Sequence, residues 1–263
     1  MNLQLNNKRA FISGSTQGIG YTIAKSLLEE GASVVLNGRS QDKLDRVVKK
    51  LKQKFPEANI SGIAADFNDS KQIEELLLKL SDIDILINNV GLFELKPFEE
   101  ITDDDWKRYF EVNVMSGVKL SRHILPIMLS KKWGRIIFIS SESGVNIPEN
   151  MIHYGTTKTA MLSLSNGLAK LTKGSDVTVN TIVGGPTYSD SVAQTIEEIA
   201  KLQNLSVEEM KSSIIGSNPT SLLQRFIEPS EIANLAVYLS SPLSSATNGS
   251  ALRADGGVLT TIL

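Results

Sequence analysis

Cysteine is absent from this 263-residue chain. That excludes disulfides, a thiol nucleophile and thiolate metal sites. Histidine is nearly absent as well. His123 and His153 are the only two, and no HExxH joins them, so a zinc hydrolase is not expected and no metal site is predicted. The chain has no GxSxG, which argues against an α/β-hydrolase, and no Gly-Lys-Ser/Thr of a Walker loop. Neither charge dominates: 27 Lys and Arg face 29 Asp and Glu, a net charge of −2. This balance offers nothing to a nucleic acid or a membrane surface. The lysines of Val48–Lys54 read as the wet face of a helix. Apolar runs stay well short of membrane-spanning length, and Met1–Arg9 lacks the apolar core of a signal peptide, so a cytoplasmic location is expected.

What is present fits a globular fold. Hydrophobic residues make up 41% of the chain and charged residues 21%. Short apolar runs alternate with longer amphipathic stretches. Strands are expected at Arg9–Ser13, Ser33–Asn37, Asn59–Ala64, Asp84–Ile87, Arg135–Ser140 and Asp176–Ile182, with a seventh near 250–254. Helices are expected at 19–30, 41–54, 70–80, 102–131, 153–172 and 228–240, with Pro126 kinking or closing the fourth. Continuous apolar strands separated by helices predict a parallel sheet covered on both faces. With right-handed crossovers this is an α/β fold, a Rossmann-type doubly wound sheet of about seven strands. The polar stretch 186–227 breaks the rhythm and reads as a mostly helical insertion over the carboxyl edge of the sheet. No linker or repeat interrupts the chain, so one domain over 1–263 is expected.

Three local patterns carry chemistry. The first is Ser13-Gly14-Ser15-Thr16-Gln17-Gly18-Ile19-Gly20, between the first strand and first helix. Glycines there allow a tight turn and close approach to a pyrophosphate on the helix N-terminus, although the spacing is GxxxGxG rather than GxGxxG. The second is the end of the second strand, Asn37-Gly38-Arg39-Ser40. An acidic residue there would hold the ribose hydroxyl of NAD, but none occurs between Gly31 and Gln41. Arg39 instead offers a fork for a 2′-phosphate and Ser40 a further donor, so NADP is preferred over NAD. The third is a YxxxK pair, Tyr154 and Lys158, on one helical face thirteen residues (154 − 141) after Ser141. A phenol with a pKa of about 10 is a poor acid or base at neutral pH. A neighbouring cation favours its ionised form.

Taken together, these residues resemble the short-chain dehydrogenase/reductase family over nearly the whole chain. Ser13–Gly20 is similar to its TGxxxGIG loop, with Ser13 for Thr. Asn88-Asn89-Val90-Gly91 is similar to its NNAG motif, and Asn113, Ser141, Tyr154 and Lys158 match its catalytic set. The resemblance implies hydride transfer between a nicotinamide and a carbonyl or secondary alcohol, with Tyr154 as general acid/base. It further implies that Ser141 holds the substrate oxygen, that Lys158 binds the nicotinamide ribose and lowers the tyrosine pKa, and that Asn113 positions a relay water. Cofactor contacts are implied at Gly14, Ser15, Thr16, Gln17, Gly18, Ile19 and Gly20, at Arg39, Ser40, Asp66 and Phe67, at Asn89 and Gly91, at Tyr154 and Lys158, and at Thr187 and Ser189.

The chain departs from the family at Gly184-Gly185-Pro186, where Pro-Gly is usual and Gly184 is expected to loosen the backbone. Gln17 also stands where NADP-using members often carry a base. Glu142 falls in the expected pocket wall, where it could face substrate or, as preferred, point to solvent beside a turn; His153 is expected to be structural, and Phe93 either to touch substrate or to pack. The substrate is then a small carbonyl or alcohol; a 3-oxoacyl-thioester reductase and a catalytically silent NADP-binding regulator are the alternatives. By analogy with the family, a homotetramer or homodimer is expected.

Overall fold

Runs of Val, Ile and Leu form the buried strands because β-branched side chains pack well on a pleated surface and suit burial on both faces. In the computed structural model, which describes residues 2–262, seven strands lie in one parallel sheet. They are β1 (Arg9–Ile12), β2 (Ser33–Gly38), β3 (Ile60–Ala64), β4 (Ile85–Asn88), β5 (Trp133–Ser141), β6 (Asp176–Gly184) and β7 (Ala251–Ala254). Their spatial order is β3-β2-β1-β4-β5-β6-β7. The chain therefore reverses direction between β1 and β4, where a crevice opens at the carboxyl ends of the strands.

Alternate residues of each strand feed two cores. Ala10 and Ile12 point to a face covered by α1 (Gly18–Glu29), α2 (Gln41–Lys54) and α9 (Pro229–Ser240). Phe11 points to the other face, covered by α3 (Ser70–Leu78), α5 (Ser116–Lys131) and α6 (Ile152–Ala169). The crossover from β6 to β7 is the exception to the expected hand. It moves outward along the sheet like its two predecessors, yet α9 lies on the opposite face from α5 and α6. The chain has room for this because α7 (Asp190–Leu202) and α8 (Val207–Gly216) precede α9. These two helices carry a small core of their own, Ile196, Ala200, Met210, Ile215 and Phe226. The two ends of the segment are pinned together: Tyr188 N–H donates to Ile227 O and Ile227 N–H to Pro186 O, both at 2.8 Å.

Two expectations need correction. The region 102–131 is helical almost throughout, as expected, but Pro126 does not close it. It begins as α4 (Asp103–Tyr109), opened by a reciprocal Thr102–Asp105 capping box, and passes through a π-helical segment, Phe110–Met115. It then continues as α5 straight through Pro126 to a left-handed Lys132. Burial of Ile124, Leu125 and Met128 on either side of Pro126 holds the helix on the sheet despite the missing N–H. Gly184 is not loose. It pairs with Ser141 on one side and Ala254 on the other, as the last residue of a central strand.

Candidate active site

The loop after β1 is tied down before any ligand arrives. Gly14 and Gly18 sit at φ +62° and +60°, a region L side chains rarely adopt. A Cβ on Gly20 would lie 2.5 Å from both Gly14 O and Asn89 Nδ2, so α1 can approach this closely only with glycine there. Ser13 Oγ accepts from the N–H groups of Asn89 and Val90, at 3.0 and 3.1 Å, and donates to Ile87 O. The hydroxyl is what this position needs, and serine provides it as threonine would. Asn89 Nδ2 donates to Ser13 O and Gly14 O, while Asn37 Oδ1 accepts from Gly14 N–H. Ser15 is fully buried, its hydroxyl bonded to Ile12 O and to Asn37 N–H. Ser15 and Gly20 therefore shape the loop from behind. Gly14, Thr16, Gln17, Gly18 and Ile19 line a cavity of about 560 Å³ along the carboxyl edge of the sheet.

At one end of this cavity Arg39, Ser40, Asp66 and Asn68 form the wall. Ser40 also caps α2, accepting from Lys43 N–H at 3.3 Å. Lys43, which sequence reasoning passed over, reaches back across the loop to Gln17 Oε1 and lines the same wall. Its placement at the third position of α2 follows Ser40, but its direction toward Gln17 is a tertiary fact. The base missing from the glycine loop is thus supplied by α2. Phe67 lines the cavity only through its edge, because its ring is packed in the core at 2% exposure. Asp66 is braced by accepting from Asn68 N–H at 2.9 Å.

At the other end β5 and α6 bring Ser141, Tyr154 and Lys158 to the same cavity, beside Gly91, Phe93, Thr187 and Ser189. Lys158 is 5% exposed, and its Nζ donates to Ile139 O at 2.9 Å and lies 5.5 Å from the Tyr154 ring centroid. Burial lowers its pKa to about 8. For the tyrosine the direction is the opposite of the expected one. Burial pushes the phenol well above its ordinary value, the Glu142 charge adds to that, and only Ser141 pulls it back. The Phe93 ring meets Tyr154 edge-on, with centroids 6.4 Å apart.

Two further residues, Glu142 and Asn113, are held by side-chain bonds that spacing does not signal. Glu142 does not point to solvent. Its Oε2 accepts the Ser141 hydroxyl proton at 2.5 Å inside the cavity, and burial raises its pKa. The turn that starts at the end of β5 folds the side chain back over its own neighbour, which no spacing pattern would signal. Asn113 lies outside the cavity wall, and its amide is fully engaged. Oδ1 accepts from Leu92 N–H at 2.7 Å, and Nδ2 donates to Leu92 O and Thr157 Oγ1, each at 3.0 Å. His153 is buried as a structural residue, its ring 4.2 Å from that of Tyr109.

The crevice position, the glycine cradle and the buried Tyr–Lys pair define a nucleotide-dependent oxidoreductase of the doubly wound class. The family profile described as short chain dehydrogenase matches residues 8–200, and the chain belongs to that family. It is 45% identical over 263 residues, covering 100% of both chains, to the Bacillus subtilis protein named "Uncharacterized oxidoreductase YvaG". It is 29% identical to the 3-oxoacyl-[acyl-carrier-protein] reductase FabG of Aquifex aeolicus, across 98% of this chain and 100% of that one. Among solved structures, the L-sorbose reductase of Gluconobacter frateurii, complexed with NADPH and L-sorbose, superposes with a TM-score of 0.94 at 30% identity over all of both chains. Among the described residues no helix is long and apolar enough to cross a membrane, and no His, Cys, Asp and Glu group is arranged to hold a metal.

Proposed function

We propose that the protein is an NADP(H)-dependent reductase of a small carbonyl compound, with Tyr154 as the general acid. The observation that carries this reading is the convergence of Ser141, Tyr154 and Lys158 on one cavity continuous with the phosphate loop. The chain's residues fit the cofactor. The Gly14–Gly20 cradle and the N-terminus of α1 suit a pyrophosphate. Arg39, Lys43 and Ser40 suit a 2′-phosphate, and β2 ends with no carboxylate to hold a free ribose hydroxyl. Thr187 and Ser189 suit the carboxamide end, and Asp66 the adenine end. The bound nicotinamide supplies the hydride.

The chain does the rest. Tyr154 delivers a proton to the substrate oxygen, and its raised pKa keeps that proton available at neutral pH. Ser141 stands beside the same oxygen to stabilise developing negative charge. In this reading Lys158, whose Nζ donates to Ile139 O, binds the nicotinamide ribose. A relay water, if Asn113 holds one, would be held by its main chain, since the π-helical segment loosens the ladder there while the side chain is engaged elsewhere. Alcohol oxidation is the reverse. The pinned 186–227 segment above the cavity favours a compact substrate over a carrier-bound thioester. We read the chain as one catalytic domain acting in the cytoplasm. A homotetramer or homodimer is proposed by analogy with the family; light scattering at micromolar concentration checks it, and a monomer refutes it.

The test is a panel of ketones, aldehydes and alcohols followed by NADPH absorbance, with NADH in parallel. Tyr154→Phe should still bind NADPH while reduction falls about 10²–10⁴-fold, the usual contribution of a positioned acid. Unchanged turnover in that variant would refute the assignment.

A further inference from the structure

The Ser141 hydroxyl has one proton and two lone pairs. In the structure the proton is given to Glu142 Oε2 at 2.5 Å, and one lone pair accepts Ser143 N–H at 3.1 Å. One lone pair then remains, and Tyr154 lies near enough to feel this hydroxyl. A serine so engaged has no proton for a carbonyl oxygen. It can only accept one, as it would from an alcohol. If the carboxyl carries a proton, the polarity of the contact reverses. The acid then donates to Ser141 Oγ, both lone pairs are filled, and the serine proton is free to turn toward the oxygen that Tyr154 protonates.

We propose that Glu142 is a positioning residue that sets the direction of the Ser141 hydroxyl: donor to a carbonyl when Glu142 is protonated, acceptor from an alcohol when it is ionised. The inference rests on the oxidoreductase reading and deepens it, because it ties the direction of reaction to one side chain. No proton is consumed at Glu142 in turnover; it only reorients the hydrogen bond that Ser141 makes.

The surroundings allow both states. Among the described residues Glu142 forms no ion pair that would lock it ionised. Ser143 Oγ, at 3.4 Å from Oε1, is its other side-chain partner. From α6 it is faced by Tyr154 and Lys158, and both feel its charge. From β6, which packs beside the turn, the residue opposite Ser141 is Gly184, with nothing to titrate. On the far side of the cavity Leu92 and Phe93 are apolar. Burial raises the carboxyl above the ordinary glutamate range, so the acid form persists to higher pH than on an open surface.

The experiment measures kcat/KM against pH in both directions, for a ketone and for its alcohol, in wild type, Glu142→Gln and Glu142→Ala. In wild type, reduction should fall about tenfold per pH unit above a midpoint distinct from that of Tyr154, the slope of a single ionisation. Oxidation should rise through the same midpoint. In Glu142→Gln, whose amide can donate to Ser141 as the acid would, the falling limb should vanish and oxidation above the midpoint should drop roughly tenfold. A readout independent of turnover is the carboxyl carbon signal of isotope-labelled Glu142, assigned by its loss in the Gln variant; its titration midpoint should match the limb. Faster oxidation in Glu142→Gln and Glu142→Ala would mean that Glu142 acts only through its charge on Tyr154, and would overturn the proposal. So would a wild-type reduction profile with no falling limb besides that of Tyr154, a test that holds even if both variants misfold. Turnover of no carbonyl or alcohol with either NADPH or NADH would overturn the oxidoreductase reading, and this inference with it.

Discussion

Replacing Asn113 by alanine should unfold part of the site rather than merely slow it. Asn113 is 1% exposed and clamps Leu92 from both sides, accepting its N–H and donating to its carbonyl, while its second amide proton reaches Thr157 Oγ1. Thr157 is fully buried, so its oxygen finds no water when that bond goes. Leu92 is half-buried and recovers some solvation. Counting about 1 kcal/mol for each of the two backbone groups and about 1 more for the hydroxyl and the space left behind gives a loss of about 2–4 kcal/mol. That is a large fraction of the roughly 5–15 kcal/mol that holds a domain together. At about 2–4 °C per kcal/mol for a chain of this size, the melting temperature should fall by about 5–15 °C. Thermal and urea unfolding, followed by circular dichroism, would measure it. Because Leu92 follows Gly91 in the cavity wall, NADPH affinity should weaken as well. Asn113→Asp should behave similarly, since a carboxylate accepts from Leu92 N–H but donates to neither oxygen. A variant as stable as wild type that still loses reduction would refute the clamp and leave Asn113 a purely chemical role.

Three other outcomes are expected. Arg39→Ala and Lys43→Ala should each weaken NADPH binding about tenfold while changing NADH little, because only the 2′-phosphate offers a partner for their charge; quenching titrations measure both, and equal losses would show that neither reads the phosphate. Asp190, at the start of α7, accepts Gly18 N–H at 2.6 Å, which puts a carboxylate where a pyrophosphate would rest. Asp190→Ala should therefore tighten NADPH binding by roughly threefold to tenfold, and weaker binding in that variant would sink the idea. His153 is buried with neither ring nitrogen hydrogen-bonded, and burial lowers its pKa. Its neutral form is favoured in the folded state, so its contribution to stability is complete above an unfolded pKa of about 6.5 and is lost as pH falls below it. Melting temperature should decline less steeply below that pH in His153→Leu; equal slopes would show that His153 does not titrate on unfolding.

The fold was readable wherever one local rule acted alone. Val34, Val35 and Leu36 are apolar on consecutive positions because both faces of β2 are covered, and that alone marks a central parallel strand. Ser141, Tyr154 and Lys158 were readable because they fall on the end of one strand and one face of the next helix, so their spacing carries over into space. Reading failed where two rules compete. Pro126 should break a helix, but the apolar stripe of Ile124, Leu125 and Met128 outweighs the lost hydrogen bond. The π-helical segment at Phe110–Met115 adds no composition signal, since one wider turn leaves the apolar spacing almost intact.

The failures at the site are of another kind and share a cause. Glu142, Lys43 and Asp190 are charged residues in turns or first helical turns, where sequence says only that they are polar. Each is turned inward by a partner that sequence cannot pair with it: Ser141 through a turn, Gln17 across 26 residues, Gly18 across 172. Most of the residues that motif reading assigns line one cavity. Those it misses are bonded to them: Lys43 to Gln17, Asp190 to Gly18 and Glu142 to Ser141.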